Sequence, residues 1–328
     1  MNRRVVAVLC ALVLATIAVS GCSQQVETEP LTTPRVPEPV PVVIGTLPTE
    51  DILPLLVAEQ EGLFAQFGLD SFEIEIFQAD EGLDRAFIEG EIDAFAGDII
   101  AAAQFEAGDV PVTIATIMLG AASAEGRFGV VAAPDSGYTD IVALAGVPVA
   151  TSRNTLEEYV LDGLMRRAGV QADDIIVEAV PNATVRYDRL MQGELKAAVL
   201  PEPLLSLAVF EGATLLADDT TGENLSQTVL VFSDEYLSEI GGVDTMAALL
   251  KTWDAAVEIV NADPEAWREL LVERAQLPEP IKETYRISAY PTAQIPTTEQ
   301  VNAVIDWLRT KGTLQSEITY EDLVLVTP

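Results

Sequence analysis

The segment Thr151-Ser152-Arg153-Asn154-Thr155 holds the densest set of groups able to grip a small molecule. It follows the apolar run Val147-Pro148-Val149-Ala150, which reads as a strand, and precedes a stretch with helical spacing at about 155–168. Hydroxyls, an amide and an arginine would there join the unpaired N–H groups of a helix N-terminus, which favour an anion or a carbonyl oxygen. Arg153 offers the planar fork that matches a sulfonate or carboxylate. Carboxylates stand at similar junctions elsewhere. Asp51 comes after Thr46, Pro48 and Thr49 behind the first strand-like run, and Asp80 comes after Gln78 behind the second. Asp98 follows the third and Glu202 a later one. These would pair with an amine or a ring nitrogen. Each has a structural reading beside it, because Asp, Asn and Thr favour helix N-caps. Asn182, ahead of the helical stretch 184–192, is of the same kind, and Tyr159 would form a wall of the gap. The two sets conflict over ligand charge; a zwitterion would reconcile them.

Composition removes much other chemistry. The chain has no histidine and two cysteines, Cys10 and Cys22. Triads with a His base and zinc sites built on His and Cys are therefore excluded. Enzymes built on carboxylates, Lys, Tyr or Ser remain open. No glycine-rich phosphate loop, dinucleotide fingerprint or EF-hand loop occurs, so neither a cofactor nor a metal is expected. Lys and Arg number 18 against 52 Asp and Glu, a net charge of −34. Such a chain repels phosphate backbones, and no nucleic-acid partner is expected.

Residues 1–21 have the layout of a secretory signal: Arg3 and Arg4, an uncharged apolar run from Val5 to Val19, then Ser20-Gly21 before Cys22. The run is shorter than the roughly 20 residues of a spanning helix. Val19-Ser20-Gly21-Cys22 resembles the bacterial lipobox, which implies cleavage before Cys22 and acylation of its sulfur. The protein would then work outside the cytoplasm, held to a bacterial membrane by lipid, since two or more acyl chains anchor stably. Residues 22–40, rich in proline and poor in apolar residues, read as a disordered tether.

The remaining 41–328 alternate strand and helix signals. Strands are expected at 42–45, 72–77, 94–96, 112–117, 128–133, 147–150, 175–180, 197–200 and 228–232. Helices are expected at 51–67, 80–89, 98–107, 155–168, 184–192 and from 202, with 234–312 mostly helical. This order implies α/β architecture, with parallel sheets flanked by helices. An internal echo supports two similar lobes: Gly90-Glu91-Ile92-Asp93-Ala94 is answered by Gly193-Glu194-Leu195-Lys196-Ala197, each closing a helix and opening a strand.

These segments together resemble a known family. Ile44-Gly45 with Pro54-Leu55-Leu56-Val57-Ala58 and Gly62-Leu63-Phe64, the Gly90–Ala94 signature, Gly146-Val147-Pro148-Val149-Ala150 and Glu202-Pro203 stand in the order found in solute-binding proteins of ABC importers for nitrate, sulfonates, taurine and thiamine-pyrimidine precursors. The resemblance implies a bilobal type II periplasmic-binding fold with two mostly parallel sheets. It implies lobe 1 from 41–126 and 222–328, lobe 2 from 127–221, and hinges near 125–128 and 220–226. It implies a small solute (a sulfonate, a nitrate-like anion or a pyrimidine-type heterocycle) between the lobes, with a permease and its ATPase subunit as partners and no turnover. Two alternatives stay open: a lipid-anchored hydrolase using carboxylates, and a receptor of the same fold feeding a signalling partner.

Overall fold

The computed structural model describes residues 40–324. The expected signal, Cys22 and the tether up to residue 39 lie outside the described residues. The strands are β1 (Val42–Thr46), β2 (Phe72–Ile76), β3 (Ala94–Asp98), β4 (Val112–Leu119), β5 (Phe128–Ala132), β6 (Pro148–Thr151), β7 (Ile176–Ala179), β8 (Ala197–Pro201), β9 (Thr214–Asp218) and β10 (Thr228–Ser233). They form two five-stranded sheets of matching order, β2-β1-β3-β10-β4 and β7-β6-β8-β5-β9.

The expectation of mostly parallel sheets holds for four of the five strands in each. Each sheet is mixed: β2, β1 and β3 pair in parallel, but β10 pairs antiparallel with both β3 and β4. In the second sheet β5 is the reversed strand, between β8 and β9. The physical reason is the chain path. β5 and β10 are each the first strand after the chain crosses from one sheet to the other, and each enters against its neighbours. The other strands of each sheet share one direction, so their carboxyl ends lie along one edge.

The helices are α1 (Leu53–Gln60), α2 (Leu63–Gln66), α3 (Asp80–Ile88), α4 (Ile99–Ala107), α5 (Leu156–Arg167), α6 (Ala183–Met191), α7 (Leu204–Phe210), α8 (Asp234–Ser238), α9 (Gly242–Ala262), α10 (Arg268–Arg274), α11 (Thr298–Lys311) and α12 (Tyr320–Leu323). β4 is buried at every residue, as a strand covered on both faces must be. α1 buries nearly its whole surface and packs on α9, whose Leu249, Trp253, Val257 and Val260 form an apolar stripe. α3, α4, α11 and α12 serve the first sheet; α5, α6 and α7 serve the second. One apolar cluster joins Val42, Leu53 and Trp253 with Val131, Leu200 and Leu205; another joins Phe87, Phe95 and Ile305 with Val149, Leu161 and Val199. Both clusters therefore run through residues of both sheets.

Three sequence expectations change. The helix expected at 51–67 is split, because Gly62 takes φ +66° between α1 and α2. β9 was not expected at all; it is a half-exposed edge strand without clean alternation. Residues 275–296, expected to be mostly helical, are largely irregular, with Pro278, Pro280, Pro291 and Pro296 interrupting them.

Two passages join the sheets, between Leu119 and Phe128 and between Asp218 and Thr228. Asp219, buried, accepts the N–H groups of Phe128 at 2.9 Å, Ser226 at 3.0 Å and Leu225 at 3.2 Å, and so ties one passage to the other. Asn224 Nδ2 donates to Glu125 O at 3.0 Å across the same pair. Among the described residues no helix is long and apolar enough to cross a membrane.

Candidate ligand-binding cleft

In open α/β sheets ligands sit beyond the carboxyl ends of the strands, where helix N-termini offer free N–H groups. Here two such edges exist. At the first, β1 ends on buried Thr46, whose hydroxyl donates to Leu47 O at 2.9 Å. The turn that follows holds partly exposed Pro48, then Thr49, whose Oγ1 donates to Asp51 Oδ1 at 2.6 Å. Asp51 does not cap the helix; Thr49 is at the N-cap and Asp51 lies inside the buried 3₁₀ turn Glu50–Ile52. Burial raises the Asp51 pKa, and the Thr49 hydroxyl only partly offsets this.

Glu50, not among the expected ligand residues, is the best-anchored group on this edge. The Tyr285 hydroxyl donates to its carboxylate, Ser288 N donates to Oε1 at 2.6 Å, and the Tyr290 hydroxyl donates to its carbonyl at 2.8 Å. Burial still raises its pKa against those hydrogen bonds. Its partners come from the proline-broken stretch some 240 residues away, with no local signal linking them.

Asp80 opens α3 as its first residue, with Ala79 at the N-cap, while Asp98 caps α4 by accepting Ala101 N at 2.8 Å. Desolvation raises both carboxyl pKa values, and Glu157 of the facing edge adds to each; Asp98 reaches about 6. Asp84 also reaches about 6, through desolvation and then Asp80. Gln78 stays exposed and accepts Gln276 Nε2 at 3.1 Å.

The second edge is built around α5. Thr151 ends β6 fully buried, its hydroxyl without a hydrogen-bond partner. Ser152 O accepts the Thr155 hydroxyl at 2.9 Å, and that hydroxyl also lies 2.7 Å from Glu157 Oε2. Asn154 is no cap; it takes φ +61°, and Gln104 Nε2 of α4 donates to its carbonyl at 2.9 Å. Arg153, expected to grip an anion, is exposed. Its Nη2 turns to Val177 O on β7, 2.9 Å away, because that edge carbonyl lies in reach of an exposed side chain. Tyr159, expected as a cleft wall, is partly buried, and its ring meets Trp307 of α11 edge-on at 5.5 Å. Asn182 caps α6 through Val185 N at 2.9 Å and stays exposed.

Two arginines missed in the sequence complete this edge. Arg186, fully buried, donates to Val199 O and Val180 O at 2.7 Å each and reaches Glu157 Oε1 at 3.1 Å. Arg127 Nη1 lies 3.5 Å from Glu202, and its Nε lies 3.0 Å from Asp218 as an ion pair without hydrogen-bond alignment. Glu202 accepts both the hydroxyl of Ser206 at 2.9 Å and its N–H at 3.1 Å, securing the start of α7. Burial raises the Glu202 pKa to about 7, with Arg127 and Ser206 pulling down and Glu50 across the gap pushing up. A cavity of about 200 Å³ opens beside it, lined by Arg127, Ser206 and Phe210 from one side and Ile281, Thr284 and Tyr285 from the other.

The two edges thus face each other at two places: Asp80 and Asp98 against Glu157 and Asn154, and Glu50 against Glu202. Arg127 and Arg186 are paired with carboxylates, and burial raises the pKa of several carboxyls that face the gap.

Comparison with known proteins fits this arrangement. The chain aligns at TM-score 0.73 and 17% identity with the periplasmic aliphatic sulphonate binding protein SsuA from Escherichia coli, over 88% of this chain and 93% of that one. The alkanesulfonate-binding protein SsuA from Xanthomonas axonopodis pv. citri, bound to MOPS, aligns at TM-score 0.70 and 19% identity, over 88% and 99%. The nitrate-binding protein NrtA from Synechocystis PCC 6803 aligns at TM-score 0.66 and 15% identity, over 87% and 84%. The shared fold is that of periplasmic binding proteins. No curated protein sequence matches significantly. The family model of the NMT1-like family matches residues 35–274, most of the chain, and the protein belongs to that family.

Proposed function

We propose that this protein captures a small organic solute between two α/β lobes and delivers it to an ABC importer. The observation that carries this reading is the pair of like-ordered sheets whose carboxyl edges face one another across Glu50, Asp98, Asn154 and Glu202. Residues 41–126 and 222–328 make lobe 1, residues 127–221 make lobe 2, and the two passages pinned by Asp219 are the hinge. Rotation about such passages closes a cleft on its ligand. The structural relatives named above, binding proteins for sulfonates and nitrate, support capture without turnover. The leader and Cys22 support export and lipid anchoring, with the 22–40 segment as tether. Substituting Cys22→Ala is expected to move the protein from the membrane to the soluble fraction.

The wall chemistry narrows the solute. Arg186 is committed to protein carbonyls and Glu157, and Arg127 to Glu202 and Asp218, which leaves Arg153, bonded to Val177 O, as the exposed cation of this edge, while an amine or ring N–H meets several carboxyl groups. A zwitterion or an amino-substituted heterocycle fits better than nitrate. The test is a thermal-shift panel on the full chain with nitrate, alkanesulfonates, taurine, amino acids and aminopyrimidines. A solute at roughly 1,000 times its Kd adds about 4 kcal/mol. A shift with the solute recovered intact supports capture; conversion of the solute to product overturns it.

A further inference from the structure

The last turn of α11 and the first turns of α5 meet in a buried polar knot. α11 packs on α4 over the first sheet, whereas α5 lies on the second. Lys311 Nζ is 2.7 Å from Glu158 Oε1 and 2.8 Å from Asp162 Oδ2. Both carboxylates are buried, at 2% and 4% exposure, and their i, i+4 spacing puts them on one face of α5. Trp307 Nε1 donates to Asp162 Oδ2 at 2.8 Å. Burial alone would lower the Lys311 pKa, but its hydrogen bonds to Asp162 and Glu158 outweigh that and raise it, so the cation persists. One cation from one half is therefore shared by two buried carboxylates of the other. Removing one member of such a group strands the rest.

The knot reaches the cleft through one bond. Glu158 Oε2 accepts the N–H of Asn154 at 2.6 Å. Asn154 is held at φ +61°, a conformation that opposes a side chain. Its carbonyl in turn accepts Gln104. At the far end of α5, Arg167 Nη1 donates to Glu223 O in the second passage at 2.8 Å. The helix is thus tied to the other half, or to the passage leading there, at its start, middle and end.

We infer that Lys311 is a positioning residue for the solute: through Glu158 it fixes the left-handed turn at Asn154, and with it the geometry that Thr151–Thr155 presents in the cleft. This rests on the capture reading above. Asp162 provides an internal control, because it shares Lys311 with Glu158 but does not touch the turn. The experiment is hydrogen exchange on the full chain, read on peptides covering 152–156, with solute affinity as the second readout. Lys311→Met and Glu158→Ala are expected to speed exchange in that segment by about tenfold, the loss of a local opening barrier. Asp162→Ala should leave it within about twofold of wild type while lowering the Tm as far as Glu158→Ala does. Adding Glu158→Gln to Lys311→Met should restore protection of the turn, since the amide oxygen still accepts the Asn154 N–H and the one carboxylate left without Lys311, Asp162, keeps the Trp307 N–H and does not touch the turn. The variants that free the turn should weaken binding of the best solute from the panel at least about fivefold, and Asp162→Ala should not. Wild-type exchange in Lys311→Met, equal exchange in the two alanine variants, or unchanged affinity with a released turn would each overturn the assignment. If no solute shifts the wild-type protein, the capture reading falls, while exchange still reports whether Lys311 holds the turn.

Discussion

The two sheets share one strand order and differ in what stands at matching places. The echo at Gly90 and Gly193 aligns α3 with α6, and that alignment sets Leu83 of the first half against Arg186 of the second. Leu83 joins an apolar cluster; Arg186, at the same level of its helix, is fully buried and tied to two strand carbonyls and Glu157. Likewise the first edge carries the carboxyls Glu50, Asp51, Asp80 and Asp98, while the second sets its carboxyls Glu157 and Glu202 against the arginines Arg186 and Arg127 and adds hydroxyls and an amide. One topology therefore builds two unlike walls. The fold fixes where the walls meet, and a few side chains at strand ends and first helical turns fix what they can hold.

The largest break in this comparison comes from Arg186. Arg186→Met would leave Glu157 and the carbonyls of Val180 and Val199 without their donor. Loss of one partner from a buried ion pair costs about 3–5 kcal/mol. Denaturant unfolding should show that loss, and Leu83→Met in the first half, a swap of similar volume, should cost under about 1.5 kcal/mol. Equal losses would mean that Arg186 merely fills space.

Next in size is the pH dependence. Asp98 of the first wall titrates near 6 and Glu202 of the second near 7, both raised chiefly by burial. A carboxyl whose folded pKa exceeds its unfolded value binds its proton more tightly when folded. Its contribution is therefore full below the unfolded pKa and is lost as pH rises through the folded one. Stability should fall between about pH 4 and 8 and level off above, by about 3 kcal/mol for each group. Asp98→Asn should remove the part centred lower and Glu202→Gln the part centred higher. A flat profile from pH 4 to 8 would show that both walls are solvated.

Much of this frame was readable from residue order. Strand-like runs bounded by glycine, and helices opening on Asp, Asn or Thr, placed most elements to within a residue or two. Asp98 was legible as a cap because a cap is a local bond. The rest depended on distant partners. Glu50 carries no mark in its own segment; its anchors lie at Tyr285, Ser288 and Tyr290. For Arg153, sequence shows the side chain and not the Val177 carbonyl to which it bonds. The reversal of β5 and β10 follows from the crossing of the chain between sheets, which periodicity does not encode. The irregular stretch 275–296 was legible after all, in its four prolines.

The finest test asks whether the echo is physical or only a likeness of letters. Gly90 and Gly193 take φ +70° and +73° at the ends of α3 and α6. In each, the glycine N–H donates three residues back, Gly90 to Phe87 O at 3.1 Å and Gly193 to Leu190 O at 3.0 Å. The next residue then closes the turn five back, Glu91 to Ala86 O at 2.8 Å and Glu194 to Arg189 O at 2.9 Å. This is the double bond of a Schellman stop, and it needs a left-handed residue. A Cβ at either position would meet nothing within 4 Å, so an alanine is opposed by backbone strain alone. Gly90→Ala and Gly193→Ala should therefore each cost about 1–2 kcal/mol, and by the same amount within error despite their different walls. Unequal costs in chemical denaturation would mean that the two stops are held by their surroundings, and that the likeness of the halves ends at strand order.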